Sequence, residues 1–267
     1  ADVSFTVPES DLGETLTAAE AALAELGAGS VRTAANLSKI SAVGVGMRTH
    51  SGVAAQMFRT LSEQGINIEM ITTSDIKIST LIQRGDAEKA LRAVHRAFEL
   101  DSPQPAALAV GWKQRTAAKN GATGDEILER VVKTLGGMED IVVSDVVLDA
   151  SQSLVSVTGL PDVPGVCAEL FTAVAEGDIM VDTIVQNVSR EGHTVVSFTV
   201  PRDDHDACLL LVRELLSQWP GSDCTSERQA AQLSVMGVGL RTHTGVGERM
   251  FKALGVAGIN VRMINTS

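Results

Sequence analysis

Three turns in this chain set glycine and polar residues directly ahead of a segment with helical periodicity: Asp162-Val163-Pro164-Gly165-Val166, Arg48-Thr49-His50-Ser51-Gly52 and Arg241-Thr242-His243-Thr244-Gly245. The first turn of a helix carries amide groups without intrahelical partners, at the positive end of the helix dipole. Such a place can hold a carboxylate. Asp162 beside it can take the ammonium of the same ligand. Polar residues also end the strand that follows each helix, as Gln186-Asn187 in one copy and Thr73-Ser74-Asp75 in another. Together these groups describe a site for a small zwitterion, an amino acid held at both of its charges. Two simpler readings stand beside it: Asp162 as a cap of its own turn, and His50 and His243 as caps instead of ligand contacts.

Other chemistries are poorly supplied. Gly44-Val45-Gly46 begins like a dinucleotide-binding loop, but Thr49 stands where the third glycine belongs, and no GxxxxGK[ST] phosphate loop occurs. Met57, Met70, Met180, Met250 and Met263 fall on apolar faces and are expected in the core. The sequence offers no nucleophile–base pair and no metal-ligand cluster, so neither a cofactor nor a metal is expected.

The turns belong to repeats. Gly44-Val45-Gly46-Met47-Arg48-Thr49-His50 returns 193 residues later as Gly237-Val238-Gly239-Leu240-Arg241-Thr242-His243. The same register carries Val3-Ser4-Phe5-Thr6-Val7-Pro8 onto Val196-Ser197-Phe198-Thr199-Val200-Pro201 without a gap. A second register of 80 residues carries Gly165-Val166 onto Gly245-Val246, and Ile179, Val181 and Ile184 onto Ile259, Val261 and Ile264. The unit is therefore about 80 residues, small for a domain but adequate when units pack on each other.

Hydropathy gives each unit its elements. Val3, Phe5 and Val7 alternate with polar residues as in a half-buried strand, Asp11 to Leu26 is helical and ends at Gly27, and Ser30 to Ala35 can form a strand. Ile40 to Val45 is a strand. A helix opening at Ser51 or Gly52 carries Val53, Met57, Phe58 and Leu61, and strands follow at Ile66–Ile71 and Ile76–Ile82, then a helix at Asp86–Phe98. Ser102-Pro103-Gln104-Pro105 and the polar stretch Lys113–Asn120 mark 101–124 as an expected linker, and a short helix at Asp125–Leu135 is expected to be capped by Gly136-Gly137. Beyond it come strands at Ile141–Leu148 and Leu154–Thr158, a helix at Val166–Ala175, strands at Ile179–Val185 and Thr194–Val200, and a helix at His205–Trp219. Leu233–Val238, Val246–Leu254 and Ile259–Ile264 repeat the strand–helix–strand opening. The order predicts an α+β fold of tandem ferredoxin-like βαββαβ modules, antiparallel sheets with helices on one face. The expected boundaries are a back half-module at 1–36, modules at 37–100 and 138–230, a linker and short helix at 101–137, and a front half-module at 231–267. The two half-modules suit a piece of a longer protein; the alternative is that they complete one another in space, as in a circular permutation.

Composition narrows the partners. A net charge of −11 over 267 residues disfavours nucleic acid and anionic membranes, which want a basic face. Cys167, Cys208 and Cys224 lack metal or disulfide spacing and read as buried free thiols of a reducing compartment. With neither a signal peptide nor a long apolar run, the cytosol is the expected location.

Residues 44–53 followed by Ile66-Asn67-Ile68-Glu69-Met70-Ile71-Thr72-Thr73-Ser74-Asp75-Ile76-Lys77-Ile78-Ser79 resemble the second ACT module of aspartate kinases. Gly159-Leu160-Pro161-Asp162-Val163-Pro164-Gly165-Val166 with Val185-Gln186-Asn187-Val188-Ser189 resembles the first. The likeness spans nearly the whole chain outside the linker. Val163 departs from a residue often basic in that family, and Gly177-Asp178-Ile179-Met180 from a more usual Gly-Ile-Asn-Val. The Lys-Phe-Gly-Gly-Thr opening of the kinase domain is absent from the sequence, so the chain itself is expected to be non-catalytic. The resemblance implies a regulatory region with successive pairs of ACT modules, which binds end-product amino acids such as lysine or threonine, mediates dimerisation and acts on an aspartate kinase catalytic domain. The competing class is a free-standing amino-acid sensor that regulates a separate enzyme or a transporter. A stand-alone enzyme is disfavoured by the missing catalytic constellation. The expected effector pocket groups Asp162, Gly165, Val166, Gln186, Asn187 and Ser189 with Asn260 of the neighbouring module. A second group, Thr49, His50, Gly52, Asn67, Ser74 and Asp75, is expected to face a site whose anchoring turn lies ahead of Ala1.

Overall fold

The computed structural model describes residues 3–44, 52–74, 76–100, 145–187, 192–237 and 245–266. They fall into two compact units, one of residues 1–97, 153–228 and 265–267, the other of 98–152 and 229–264.

The first unit holds the core. It opens with helix α1 (Leu12–Leu26), closed by Gly27 in the left-handed region at φ 66°. Strand β1 (Leu37–Val43), helix α2 (Val53–Glu63), strands β2 (Met70–Ser74) and β3 (Lys77–Gln83) and helix α3 (Ala87–Ala97) follow. After β4 (Asp145–Pro161) come helix α4 (Val166–Glu176), strands β5 (Ile184–Gln186) and β6 (His193–Pro201), helix α5 (His205–Leu216) and strand β7 (Asp223–Met236). This second run is a complete βαββαβ module. The first run is the same module without its last strand.

The two modules join edge to edge into one seven-stranded sheet, in the order β1-β3-β2-β5-β6-β4-β7. β1 with β3, β3 with β2, β2 with β5 and β5 with β6 are antiparallel. The joint is short: Ile71 faces Gln186 and Thr72 faces Val185. It is reinforced by a side chain, since Thr73 Oγ1 accepts a hydrogen bond from the Ile184 amide at 2.7 Å.

α2 packs on α4 above that joint. Ala55, Met57, Phe58 and Leu61 form the buried stripe of α2, and Val166, Cys167, Ala168, Leu170, Phe171 and Val174 that of α4. Phe171 stands between Phe58 and Phe198, with ring centroids 5.5 and 5.4 Å away, so one aromatic row links both helices to β6. The second of these modules, β4 to β7, is also tied at its far end. Buried His205 meets Asp206 through Nδ1 at 2.8 Å and Ser226 through Nε2 at 3.1 Å, and Arg228 donates to both Asp206 oxygens. His205 and then Arg228 hold the Asp206 carboxyl below its ordinary range. Hydropathy reading did not find this Ser–His–Asp line; it fastens the start of α5 to β7.

The second unit's described elements are the start of β4, the end of β7 and helix α6 (Gly245–Val256).

Several expected strands are not formed. Val3–Val7, Ser30–Ala35 and Ile259–Ile264 alternate as strands do but carry no strand pairing. A strand is completed by its neighbour's hydrogen bonds, and no described residue supplies them. At 66–71 and 179–185 the ladder begins later than the hydropathy, at Met70 and Ile184, because Ile66 and Ile179 still bond back to the ends of α2 and α4. The expected short helix at 125–135 lies outside the described residues.

Candidate functional site

At one end of the α2–α4 contact a small cleft opens between the two modules of the first unit. The turn 161–165, the start of α4, Asn67 with Ile66 and Ile68, Gln186 and Thr194 line it. Strand β4 ends at Pro161, and Gly165 lets the chain turn into α4. At φ 107°, Gly165 sits where L side chains rarely go, and a Cβ there would come within 3.1 Å of Ser62 Oγ. The turn leaves α4 without a side-chain cap, so the leading amides of the helix are open to a ligand.

Asp162 does not cap the helix. Its backbone amide donates to Gly192 O at 2.9 Å, and its Oδ1 accepts from Asn67 Nδ2 at 2.8 Å. That bond runs from one module to the other. A carboxylate accepts at both oxygens, so Oδ1 can stay on Asn67 while Oδ2 takes an ammonium. Behind the cleft, Gln186 is buried and used at both ends of its amide. Nε2 donates to Ile68 O at 2.9 Å, and Oε1 accepts from Cys167 Sγ at 3.1 Å. Gln186 is thus a strut between modules as well as part of the wall. Burial, and then the negative charge of Asp162, push the Cys167 thiol up to about 12. Cys208 is likewise held at about 12, by burial first and then the neighbouring Cys224 and Asp204. The thiolate is the reactive form, so a disulfide-exchange reagent at pH 8 is expected to leave Cys167 and Cys208 unmodified in the folded chain and to titrate them after denaturation; fast modification of the native protein would contradict their placement.

The grouping of the candidate residues differs from the expected one. Asp162, Gly165, Val166 and Gln186 do meet in one cleft, but the asparagine facing them is Asn67, from the module expected to serve another site. Asn260 is exposed and belongs to the second unit. Asn187 lies just beyond Gln186, its carbonyl accepting from Thr194 Oγ1 at 3.0 Å. Gly52 and Ser74 line a second cleft at the other end of the same helix pair. Thr49, His50, Asp75 and Ser189 lie outside the described residues. Cys167, which the sequence marked only as a buried free thiol, and Thr194 and Ile68 were not assigned to the site from the sequence. Cys167, in the first turn after Gly165, was the one with a legible signal.

Among the described residues no group of His, Cys, Asp and Glu is disposed to hold a metal ion, and no helix is long and apolar enough to cross a membrane.

The ACT domain family model matches residues 40–98, 155–215 and 233–267, more than half of the chain. The chain belongs to the ACT domain family. Within it, the chain is similar to the regulatory regions of aspartate kinases. The aspartate kinase Ask_LysC of Stutzerimonas stutzeri is 47% identical over 102 residues, 38% of this chain and 25% of that protein. The aspartokinase of Mycolicibacterium smegmatis is 39% identical over 132 residues, 49% of this chain and 31% of that protein. The crystal structure of the aspartate kinase from Synechocystis superposes with a TM-score of 0.76 at 30% identity, covering 96% of this chain and 41% of that one. The chain spans about a quarter to a third of the length of the curated relatives it matches.

Proposed function

We propose that this chain is the allosteric part of a cytosolic aspartate kinase, that it binds an end-product amino acid, lysine or threonine, for feedback inhibition, and that its modules mediate dimerisation. The observation that carries the ligand reading is the Asn67–Asp162 hydrogen bond at the start of α4. It puts an anionic acceptor, open helix amides and a cross-module amide in one cleft, the donor and acceptor set that an α-amino acid requires. A ligand seated there touches both modules, so its binding energy can bias how they pack, which is what allosteric coupling needs.

Calorimetric titration of L-lysine and L-threonine into the chain tests the reading. Saturable heat for at least one is expected, and no binding of either at millimolar concentration would sink it. The isolated chain is expected not to form aspartyl phosphate from ATP, since it has no phosphate loop; ATP-dependent product from the purified chain would refute that. What the fold leaves uncovered supports the dimer reading. α1 buries none of its residues, and β1 and β7 are the outer strands of the sheet. Light scattering is expected to give a dimer or larger species at micromolar concentration, and a monomer counts against it.

A further inference from the structure

The joint between the two modules of the first unit rests on a short ladder, Ile71 with Gln186 and Thr72 with Val185. A side chain closes each end of it. Thr73 Oγ1 takes the Ile184 amide at one end, and at the other the Gln186 side chain reaches Ile68 O at 2.9 Å. The orientation of that side-chain amide is set by its partners. A carbonyl oxygen carries no proton, so Nε2 must be the atom toward Ile68, which leaves Oε1 toward Cys167 Sγ at 3.1 Å. Gln186 is buried, and a buried acceptor needs a donor. The thiol is that donor. It keeps its proton because burial, and then the Asp162 charge, hold it at about 12. Cys167 also stands in the first turn of α4 and lines the Asp162 cleft. The first bond within the helix runs from the Glu169 amide to Gly165 O at 2.8 Å, so the Cys167 amide precedes it and is one of the leading amides of α4. One residue thus offers a backbone donor to the cleft and a side-chain donor to the joint.

We propose that Cys167 is a positioning residue: its S–H group fixes the Gln186 amide that clamps Ile68, and so joins occupancy of the Asp162 cleft to the packing of the two modules. The role rests on the ligand reading of that cleft given above. Its parts close a ring. The Asp162 turn leads into α4, Cys167 holds Gln186, Gln186 holds Ile68 O, and the neighbouring Asn67 returns to Asp162 Oδ1 at 2.8 Å. A ligand that draws on Asp162 or on the leading amides of α4 therefore pulls on residues 67 and 68 from both sides. The clamp at the other end of the joint, Thr73 with Ile184, uses no residue of the Asp162 cleft. Were Cys167 only core filler, serine would be the more damaging replacement and alanine the milder, because a hydroxyl among apolar groups costs more than the small volume lost. A donor role reverses that order. Serine keeps an O–H for Oε1, and alanine leaves Oε1 buried and unpaired.

The test compares the full chain as wild type, Cys167→Ser and Cys167→Ala by two measurements. The first is hydrogen exchange of the Gln186 side-chain amide, followed by NMR. Protection is expected in wild type and Cys167→Ser, and its loss in Cys167→Ala. The second is calorimetric titration of L-lysine and L-threonine. Cys167→Ala is expected to weaken the amino acid that binds by about two- to tenfold, the range of one neutral hydrogen bond, and Cys167→Ser to keep the wild-type affinity. Equal protection in all three chains, or serine the more damaging of the two replacements, would overturn the proposal. So would an unchanged affinity in Cys167→Ala once Gln186 has lost its protection, since the clamp is then released without effect on the cleft. Failure of both amino acids to bind the wild type is a distinct outcome: it removes the ligand reading, and the positioning role with it, even where the amide protection follows the expected order.

Discussion

Asp162→Ala is expected to weaken binding of the amino-acid effector tenfold or more while the chain stays folded. A hydrogen bond to a charged group contributes about 1.5–3 kcal/mol, and each 1.4 kcal/mol is about a factor of ten in affinity. The substitution also frees Asn67, whose amide loses the acceptor it holds at 2.8 Å. Asn67→Ala should therefore weaken binding too, by a smaller factor, because it removes a neutral partner and leaves the carboxylate. Calorimetric titration of lysine and threonine into both variants and the double variant measures the effects and their coupling. A merely structural Asp162 predicts a different pattern: a loss of about 1 kcal/mol in stability, the size of a lost turn cap, with affinity unchanged. That result would return Asp162 to the role of a turn residue.

The second large effect is on stability. Phe171→Ala is expected to destabilise the first unit by about 3–5 kcal/mol, the usual cost of emptying a buried aromatic site. Phe171 is 2% exposed and touches Phe58 on one side and Phe198 on the other. Its removal therefore leaves a gap at the contact between α2 and α4, where neither helix can close it without moving off the shared sheet. Phe171→Leu keeps most of the volume and should cost less than about 1.5 kcal/mol. Urea unfolding followed by circular dichroism distinguishes the two. Equal, small losses for both would show that the modules do not depend on this row. Because the same contact shapes the cleft, Phe171→Ala should also reduce effector affinity, although Phe171 does not line the Asp162 cleft.

Much of this was legible in the residues themselves. The helices α2 and α4 follow from apolar spacing that recurs with the turn of a helix, and they end where Gly65 and Gly177 sit. The module order follows from the repeats, since the turn ahead of a helix recurs in the same place in each copy. The turn Asp162–Gly165 was recognisable as a turn because proline and glycine stand directly ahead of the apolar spacing of α4. The strands at 3–7, 30–35 and 259–264 were misread for the converse reason. Alternation reports that a segment suits a sheet, and a sheet needs a second segment that local sequence does not name.

Sequence by itself therefore determined the repeats and the order of elements within a module. Tertiary structure decided which units meet. Asn67 and Asn260 occupy the same place in their repeats and are chemically identical, so no feature of the chain told which would face Asp162. The β2–β5 pairing, with Ile71 opposite Gln186, made that choice and brought Asn67 to the carboxylate. The physical reason is that a repeat specifies interactions within a module, where partners lie at fixed separations along the chain. A site shared by two modules is set by the packing of one face on another, which depends on all the residues of both faces at once.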